Sequence, residues 1–295
     1  MPQVHAFFDF DDTLLSGDSI LYWLRFYYRH RPRRRVFQLA NWIGLALVSL
    51  RLIDSHTLKR IFLMPMGYEP PAELDRLAAD FVREELAGRF HIPVLRRLWT
   101  HHLLGHKVVI LSASATFYLK HLKTFLPMAD IQGSDLIWPE RGFALPRYKD
   151  GNLRGENKLK RMRELGYGPA QPLSFAYSDH QHDRFLLAFS EFPVCVRPTG
   201  KLRKLAADKG WPVMDWEETG KLPRWRVLLA KFGLLVLAAG PGLPATGSDP
   251  LKEAASAREY APEHVRALRE RVGALPVDAL ARIFGVSERP PAQNT

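Results

Sequence analysis

Short apolar runs alternate with helical patterns along most of the chain. The runs at 4–9 (VHAFFD) and 107–112 (KVVILS) end in polar side chains, as buried strands often do. Two further strands are predicted at 173–178 and 193–196. Helices are predicted at 116–125, from about 156, at 183–189 and at 201–209. Strands that alternate with helices predict an α/β fold with a doubly wound parallel sheet.

A helical block interrupts this alternation after the first strand. Leu74, Leu77, Phe81 and Leu86 keep a near-helical spacing, and Pro70-Pro71 marks a helix start. We therefore predict an inserted helical domain at 18–98, with no strand in it. The catalytic core is then formed by 1–17 together with 99–216.

Two other stretches depart from the strand-helix pattern. Turn-forming residues at about 141–152 predict a β-hairpin. After Trp216 the alternation stops, so 217–295 is predicted to be a C-terminal extension of unknown role. Within it, 227–240 is apolar, 241–250 has the composition of a linker, and 263–284 has the pattern of two short helices.

The charge and cysteine content restrict the class of protein. The 42 Lys and Arg against 31 Asp and Glu give a net charge of +11, so an anionic partner or substrate is expected. The single cysteine, Cys195, excludes an internal disulfide framework and a multi-cysteine zinc site, and we expect it to be a buried core residue. No secretory signature is seen, which predicts a cytoplasmic protein.

Five arginines at 29–35 directly precede the apolar segment 36–53. This order is more typical of association with an anionic membrane surface, here its inner face, than of nucleic-acid binding. A solvated basic loop between two helices is the equal alternative. The apolar segment has 18 residues, near the lower limit for a membrane span, and a buried or interfacial helix is comparably plausible. Residues 227–240 would add a second interfacial contact.

Acidic side chains directly follow the first predicted strand. Asp9, Asp11 and Asp12 come at its end, and Thr13 is next. Parallel α/β sheets carry their chemistry at the carboxyl ends of the strands, so an active site is expected here. A carboxylate can attack a phosphate dianion only when a metal and cationic groups neutralise the phosphoryl charge, and Mg²⁺ prefers oxygen ligands of this type.

The segment FFDFDDT resembles the first motif, DxDx(T/V), of the haloacid dehalogenase superfamily. Ser112, Lys158 and the pair Asp179 and Asp183 follow in the order of that superfamily's other motifs. The resemblance implies a Rossmann-like core with an inserted helical cap. It also implies a Mg²⁺-dependent phosphatase that acts through an aspartyl-phosphate.

The same resemblance assigns roles to individual residues. Asp9 would be the nucleophile and a Mg²⁺ ligand, Asp11 would be the general acid and base and would bind Mg²⁺ through its carbonyl, and Asp179 would be the remaining carboxylate ligand. Ser112 and Lys158 would bind the phosphoryl group, and Asp183 would orient water or Lys158. Thr13 and Asp18 are assigned to substrate binding. Five histidines lack a metal-site pattern and are expected at the surface or behind the site: His101, His102, His106, His180 and His182.

Within the superfamily, the chain resembles the helical-cap subgroup that includes phosphoserine phosphatases and phosphatidylglycerophosphatase C. Asp12 stands where glycine is commoner, and His180 where serine is usual. A phospholipid headgroup such as that of phosphatidylglycerophosphate is one expected substrate, and phosphoserine or another small soluble phosphomonoester is the alternative. A non-catalytic basic binding protein is a third possibility. Nucleic-acid binding is not expected, because the segment 275–287 has no second helix after it to enter a groove.

Overall fold

The computed structural model describes residues 3–139, 144–168 and 171–216. In this part of the chain the strands are β1 (His5–Phe8), β2 (Lys107–Ala115), β3 (Asp130–Ser134), β4 (Leu136–Ile137), β5 (Arg147–Tyr148), β6 (Gln171–Ser178), β7 (Ser190–Val196) and β8 (Val213–Met214). The α-helices are α1 (Ser19–His30), α2 (Gln38–Ser49), α3 (Ser55–Leu63), α4 (Pro71–Phe81), α5 (Ile92–Leu103), α6 (Thr116–Leu119), α7 (Glu156–Glu164), α8 (Arg184–Phe189) and α9 (Gly200–Lys209).

Six of these strands form one parallel sheet in the order β3-β2-β1-β6-β7-β8. From β1 the chain proceeds to β2 and β3 on one side, and then crosses to β6, β7 and β8 on the other. The connections therefore change direction beside β1, and in open α/β sheets ligands bind at such a point, beyond the carboxyl ends of the strands. The predicted doubly wound α/β fold is confirmed.

Both faces of the sheet are buried, which explains the continuous apolar runs in the sequence. In β1, Phe8 packs into one hydrophobic cluster and Phe7 into another. The same alternation holds in β2, where Ile110 belongs to the first cluster and Val109 to the second. Since successive side chains of a strand point to opposite faces, helices must cover both sides of the sheet.

Residues 18–98 fold as helices and connecting turns. Within this block, Phe90 forms an isolated β-bridge with Leu15. Trp23 from α1 and Phe81 from α4 are fully buried in the cluster that also contains Phe8 of the sheet. The inserted helices thus share a hydrophobic core with one sheet face. The proposed boundaries between core, cap and extension remain predictions.

The apolar run at 36–53 is not one continuous helix. It begins in a 3₁₀ turn (Pro32–Phe37), continues as the 12 residues of α2, and ends in a turn at Arg51, whose φ is +58°. None of the helices that the structure describes has the length and apolar character needed to cross a bilayer. The interfacial alternative for 36–53 is taken up below.

The remaining secondary-structure predictions have mixed outcomes. β4, which precedes the hairpin predicted at about 141–152, pairs antiparallel with β5, which lies inside that range. Cys195 is buried as expected. The sequence pattern missed β3 and β8, and β2 extends three residues beyond Ser112. The predictions for 217–295 lie outside the described residues.

Candidate active site

The acidic residues meet because two strands that are distant in sequence are neighbours in the sheet. β1 pairs in parallel with β6, and Asp9 donates a backbone hydrogen bond to the carbonyl of Tyr177 at 2.9 Å. Asp9 follows β1 directly, and Asp179 follows β6 directly. Both carboxylates therefore lie at the same carboxyl edge, where the connections change direction.

Thr13 connects these two carboxylates. Its hydroxyl lies 3.3 Å from Asp9 Oδ2 and 3.0 Å from Asp179 Oδ1, and it accepts a hydrogen bond from the Asp179 backbone N–H at 3.0 Å. The side chain of Thr13 is fully buried. It thus holds Asp9 and Asp179 rather than contacting the cavity, which differs from its predicted role in substrate binding.

Lys158 reaches the site from the first turn of α7. Its ammonium donates to Asp9 Oδ1 at 2.5 Å and to Asp183 Oδ2 at 2.6 Å, and only 2% of the lysine is exposed. Ser178 Oγ donates to the same Asp183 oxygen at 2.9 Å. Asp183 thus contacts the ammonium of Lys158, and its role in orienting that ammonium stays a prediction.

Negative charge exceeds positive charge in this buried cluster. Burial raises the pKa of Asp9 to about 7 although the charge of Lys158 lowers it, and burial together with Asp9 raises the pKa of Asp179 well above its usual value. Burial disfavours the charged form of Lys158, but Asp183 and Asp9 outweigh this effect and raise the pKa of its ammonium. The carboxylates would thus be stabilised by a further cation.

Asp11, two residues after Asp9, has hydrogen-bond partners of its own. Its Oδ1 accepts from the Ser19 backbone N–H at 2.8 Å, and its Oδ2 accepts from Ser114 Oγ at 2.5 Å. Burial and the nearby charge of Asp18 raise the pKa of Asp11 to about 6. A carboxyl group with this pKa is suited to both donating and accepting a proton near neutral pH.

These side chains open into a cavity of about 430 Å³. Six of the predicted site residues line it, five carboxylates and one lysine: Asp9, Asp11, Asp18, Asp179, Asp183 and Lys158. The helices of the inserted block form an apolar wall opposite, with Ile20 and Leu21 from α1, Leu45 from α2, and Leu58 and Phe62 from α3.

The profile of haloacid dehalogenase-like hydrolases matches residues 6–188, more than half of the chain. The chain belongs to the haloacid dehalogenase-like hydrolase family. The match includes the inserted helices and the segments that carry the four motifs, from Asp9 to Asp183, so it covers the motif residues of the site just described.

Three similar proteins share between 21% and 25% sequence identity with this chain. A histidinol-phosphatase of Neisseria meningitidis is 23% identical over 220 residues, which cover 72% of this chain and 98% of that protein. A phosphoserine phosphatase of Mycobacterium tuberculosis is 25% identical over 253 residues, which cover 82% and 80%. A protein of unknown function from Bordetella pertussis has a similar fold, with a TM-score of 0.61 and 21% identity, and the match covers 73% of this chain and 99% of that one.

Two further motif residues, Ser112 and Asp12, have positions that local sequence does not reveal. Ser112 is buried, accepts a hydrogen bond from the Ser114 backbone N–H at 3.0 Å and does not line the cavity, whereas its neighbour Ala113 does. Its role toward a phosphoryl group stays a prediction. Asp12 has φ of +57°, a left-handed conformation that glycine adopts most easily, which explains why glycine is commoner at this position.

The histidines divide into two groups. His180 and His182 line the cavity. His101 and His106 are buried instead, with their Nδ1 atoms 2.8 Å apart and with His101 Nε2 2.8 Å from Tyr177 Oη. We expected these two histidines at the surface or in contact with the site residues, and this prediction is wrong because both are buried in the core.

Sequence reasoning also missed two cations at the cavity. Lys59 from α3 and Arg154 before α7 both line it. Within the part of the chain that the structure describes, Lys59 forms no hydrogen bond or salt bridge, while Arg154 lies 3.4 Å from Ser55 Oγ. No motif indicated either residue. Lys59 reaches the site through the packing of α3, one of the inserted helices, and Arg154 through the position of the segment before α7.

The donor set fits a magnesium ion. Asp9 and Asp179 are two carboxylates held by one hydroxyl, and the backbone carbonyl of Asp11 follows two residues after Asp9. No group of three His, Cys, Asp or Glu side chains among the described residues forms a complete metal cage. Mg²⁺ does not need one, because it binds one or two carboxylates and keeps several waters. The raised pKa values of Asp9 and Asp179 indicate negative charge that a divalent cation would balance.

Proposed function

We propose that this hydrolase is a Mg²⁺-dependent phosphomonoesterase in which Asp9 forms an aspartyl-phosphate. The observation that carries the proposal is the position of Asp9. Its buried carboxylate contacts Lys158 and Thr13 and faces the same cavity as Asp11. A nucleophile, a cation for the phosphoryl oxygens and a proton donor are thus within one site.

In the first step, a carboxylate oxygen of Asp9 attacks phosphorus while the bond from phosphorus to the ester oxygen breaks. Asp11 gives its proton to the leaving alkoxide, which departs as the alcohol. In the second step, Asp11 takes a proton from water as that water attacks phosphorus, and inorganic phosphate and free Asp9 are released. The raised pKa of Asp11 suits it to both steps.

Asp9, Asp179 and the carbonyl of Asp11 would hold the Mg²⁺. When bound, the ion supplies positive charge that neutralises the phosphoryl oxygens. Lys158 adds a second positive charge at the same group, and Asp183 and Ser178 keep its ammonium in place. Thr13 fixes the direction of both ligand carboxylates.

The side chains that line the cavity wall indicate which class of substrate the site would accept. The apolar side chains of Leu45, Leu58 and Phe62 favour a leaving group with an apolar part, and Lys59 and Arg154 favour a second anionic group. A phospholipid such as phosphatidylglycerophosphate has both, because its acyl chains are apolar and its phosphodiester is a second anionic group. The alternative is phosphoserine or another small soluble phosphomonoester, which the names of the relatives support. A non-catalytic basic binding protein would not need Asp9 and Asp11 in this arrangement.

Chemical trapping of the phosphoenzyme tests the mechanism. With Mg²⁺ and a soluble aryl phosphate, the wild-type protein should release phosphate and carry an acid-stable, base-labile label on Asp9. The Asp9→Asn variant should fold normally and do neither. Substantial turnover by that variant would contradict the proposal. A panel of phosphatidylglycerophosphate, phosphatidic acid, phosphoserine and histidinol phosphate would then separate the substrate alternatives.

A further inference from the structure

Apolar side chains form a stripe along the solvent side of α2. Val36 is 72% exposed, Leu39 66%, Ile43 53% and Leu50 69%. Leu39 and Ile43 lie four residues apart on one face of α2. Val36 lies in the 3₁₀ turn before the helix, and Leu50 directly follows its last residue. We call these four residues the outer stripe, and Leu52 beside it is 67% exposed.

The opposite side of α2 is anchored to the protein. The Asn41 amide donates to Tyr28 Oη at 2.9 Å, and Gly44 is packed so closely on α3 that an added Cβ would lie 2.9 Å from Leu58 Cδ1. Leu45 faces the catalytic cavity. The position of the helix is therefore fixed by its inner side, and this packing leaves the outer stripe in water.

Exposed arginines stand at both ends of the outer stripe. Arg33 and Arg35 precede it, Arg51 follows it, and one exposed acid, Asp54, lies beyond. Arg35 also donates from its Nε to the Tyr28 carbonyl at 3.3 Å. Arg29, Arg31 and Arg34 form ion pairs with Glu85, Glu69 and Glu73. The basic cluster seen in the sequence is thus divided, and only part of it flanks the stripe.

We infer that the outer stripe docks on an anionic bilayer surface, with α2 lying in the plane of the interface. Exposed apolar patches of this kind mark interaction sites, and an apolar face with basic residues beside it is typical of helices that bind anionic lipid. A contact between two copies of this stripe would bring the same arginines together in a chain whose net charge is +11, which disfavours self-association.

Only the consequence of docking for catalysis rests on the proposed function. Because Leu45 lines the cavity from the inner side of the same helix, docking would bring the active site close to lipid headgroups. The docking itself requires no turnover.

Vesicle flotation of the full chain tests the docking. We expect the wild-type protein to float with vesicles of mixed phosphatidylcholine and phosphatidylglycerol and to bind pure phosphatidylcholine less. The double variant Leu39→Ser and Ile43→Ser should reduce the bound fraction about tenfold or more, because two large aliphatic side chains no longer leave water. Arg33→Gln with Arg51→Gln should weaken binding at low salt.

Two controls make the result specific. Leu165→Ser removes an exposed leucine outside the stripe, 38% exposed, and should float like the wild type. All variants should keep wild-type activity on a soluble aryl phosphate, since none of the changed residues lines the cavity. A wild-type protein that stays out of the lipid fraction, or a stripe variant that floats equally well, would overturn the inference. So would a wild-type dimer that the stripe variant converts to monomer. An inactive protein that floats would count against the proposed function alone.

Discussion

Thr13 and Asp179, which are 166 positions apart, exchange two hydrogen bonds. The Thr13 hydroxyl donates toward Asp179 Oδ1 at 3.0 Å and accepts from the Asp179 backbone N–H at 3.0 Å. This exchange joins the segment after β1 to the segment after β6. The two carboxylates proposed to bind Mg²⁺ are therefore fixed relative to each other before a metal binds.

Removal of the Thr13 hydroxyl should affect both stability and metal activation. Thr13→Val leaves the buried Asp179 N–H without its acceptor, so the free energy of unfolding should fall by about 1–3 kcal/mol in urea titrations. The Mg²⁺ concentration for half-maximal activity should rise about tenfold, because the ligand carboxylates lose their support. Thr13→Ser keeps the hydroxyl and should remain near wild type. Equal behaviour of the two variants would contradict this role.

Lys158→Met should separate metal binding from catalysis. The ammonium contacts Asp9 and Asp183 and is proposed to stabilise the phosphoryl group, so kcat/KM on an aryl phosphate should fall about 10²–10³-fold. Calorimetry should still detect Mg²⁺ binding, since removal of a nearby positive charge does not weaken a cation site. Loss of Mg²⁺ binding together with activity would instead indicate that Lys158 supports the shape of the site.

Asp11→Asn should uncouple the two chemical steps. An aryl phosphate has a good leaving group and needs little help from an acid, so Asp9 should still be phosphorylated. Hydrolysis of the aspartyl-phosphate needs a base and should slow about 10²–10⁴-fold. Rapid-mixing experiments should show a burst of phenol of one equivalent, and Asp9→Asn should show none. Steady turnover at the wild-type rate would exclude Asp11 as the base.

The buried pair His101 and His106 should make folding sensitive to acid. Burial lowers the pKa of His101 well below 6.5 and that of His106 to about 4. Below about pH 6.5 the unfolded chain therefore binds more protons than the native protein, so stability present at neutral pH is lost as the pH falls. Each histidine contributes a slope of up to about 1.4 kcal/mol per pH unit in that range.

Urea titrations between neutral pH and about pH 5 measure this slope. His101→Phe should lower the stability at neutral pH, because Tyr177 and His106 lose a hydrogen-bond partner, but it should also reduce the dependence on pH. A slope unchanged in His101→Phe would show that other groups cause the acid sensitivity.

Much of the fold was predictable because both faces of the sheet are buried. Continuous apolar runs such as 107–112 can be recognised without knowledge of their neighbours. β3 was missed because Asp130 to Ser134 contains polar residues and glycine and so has no apolar strand pattern. This segment forms a strand through its pairing with β2. β8 has two residues, too few for a pattern.

The residues of the candidate site at the edge of the sheet were predictable, and those of the cavity walls were not. Asp9, Asp11, Lys158 and Asp179 stand at the ends of recognisable elements, and a parallel sheet gathers such ends at one edge. Lys59 stands in the middle of a helix without any motif, and only the packing of α3 brings it to the cavity.

The sequence by itself thus determined the parallel α/β fold, the order of the motifs and the carboxylates at the edge of the sheet, because these follow from local periodicity and from the direction of parallel strands. The tertiary structure decided what each side chain faces. It placed Thr13 between two carboxylates, His101 in the core, and the outer stripe in water. Periodicity shows which residues share a face of a helix, but what covers that face depends on long-range packing, which no local pattern contains.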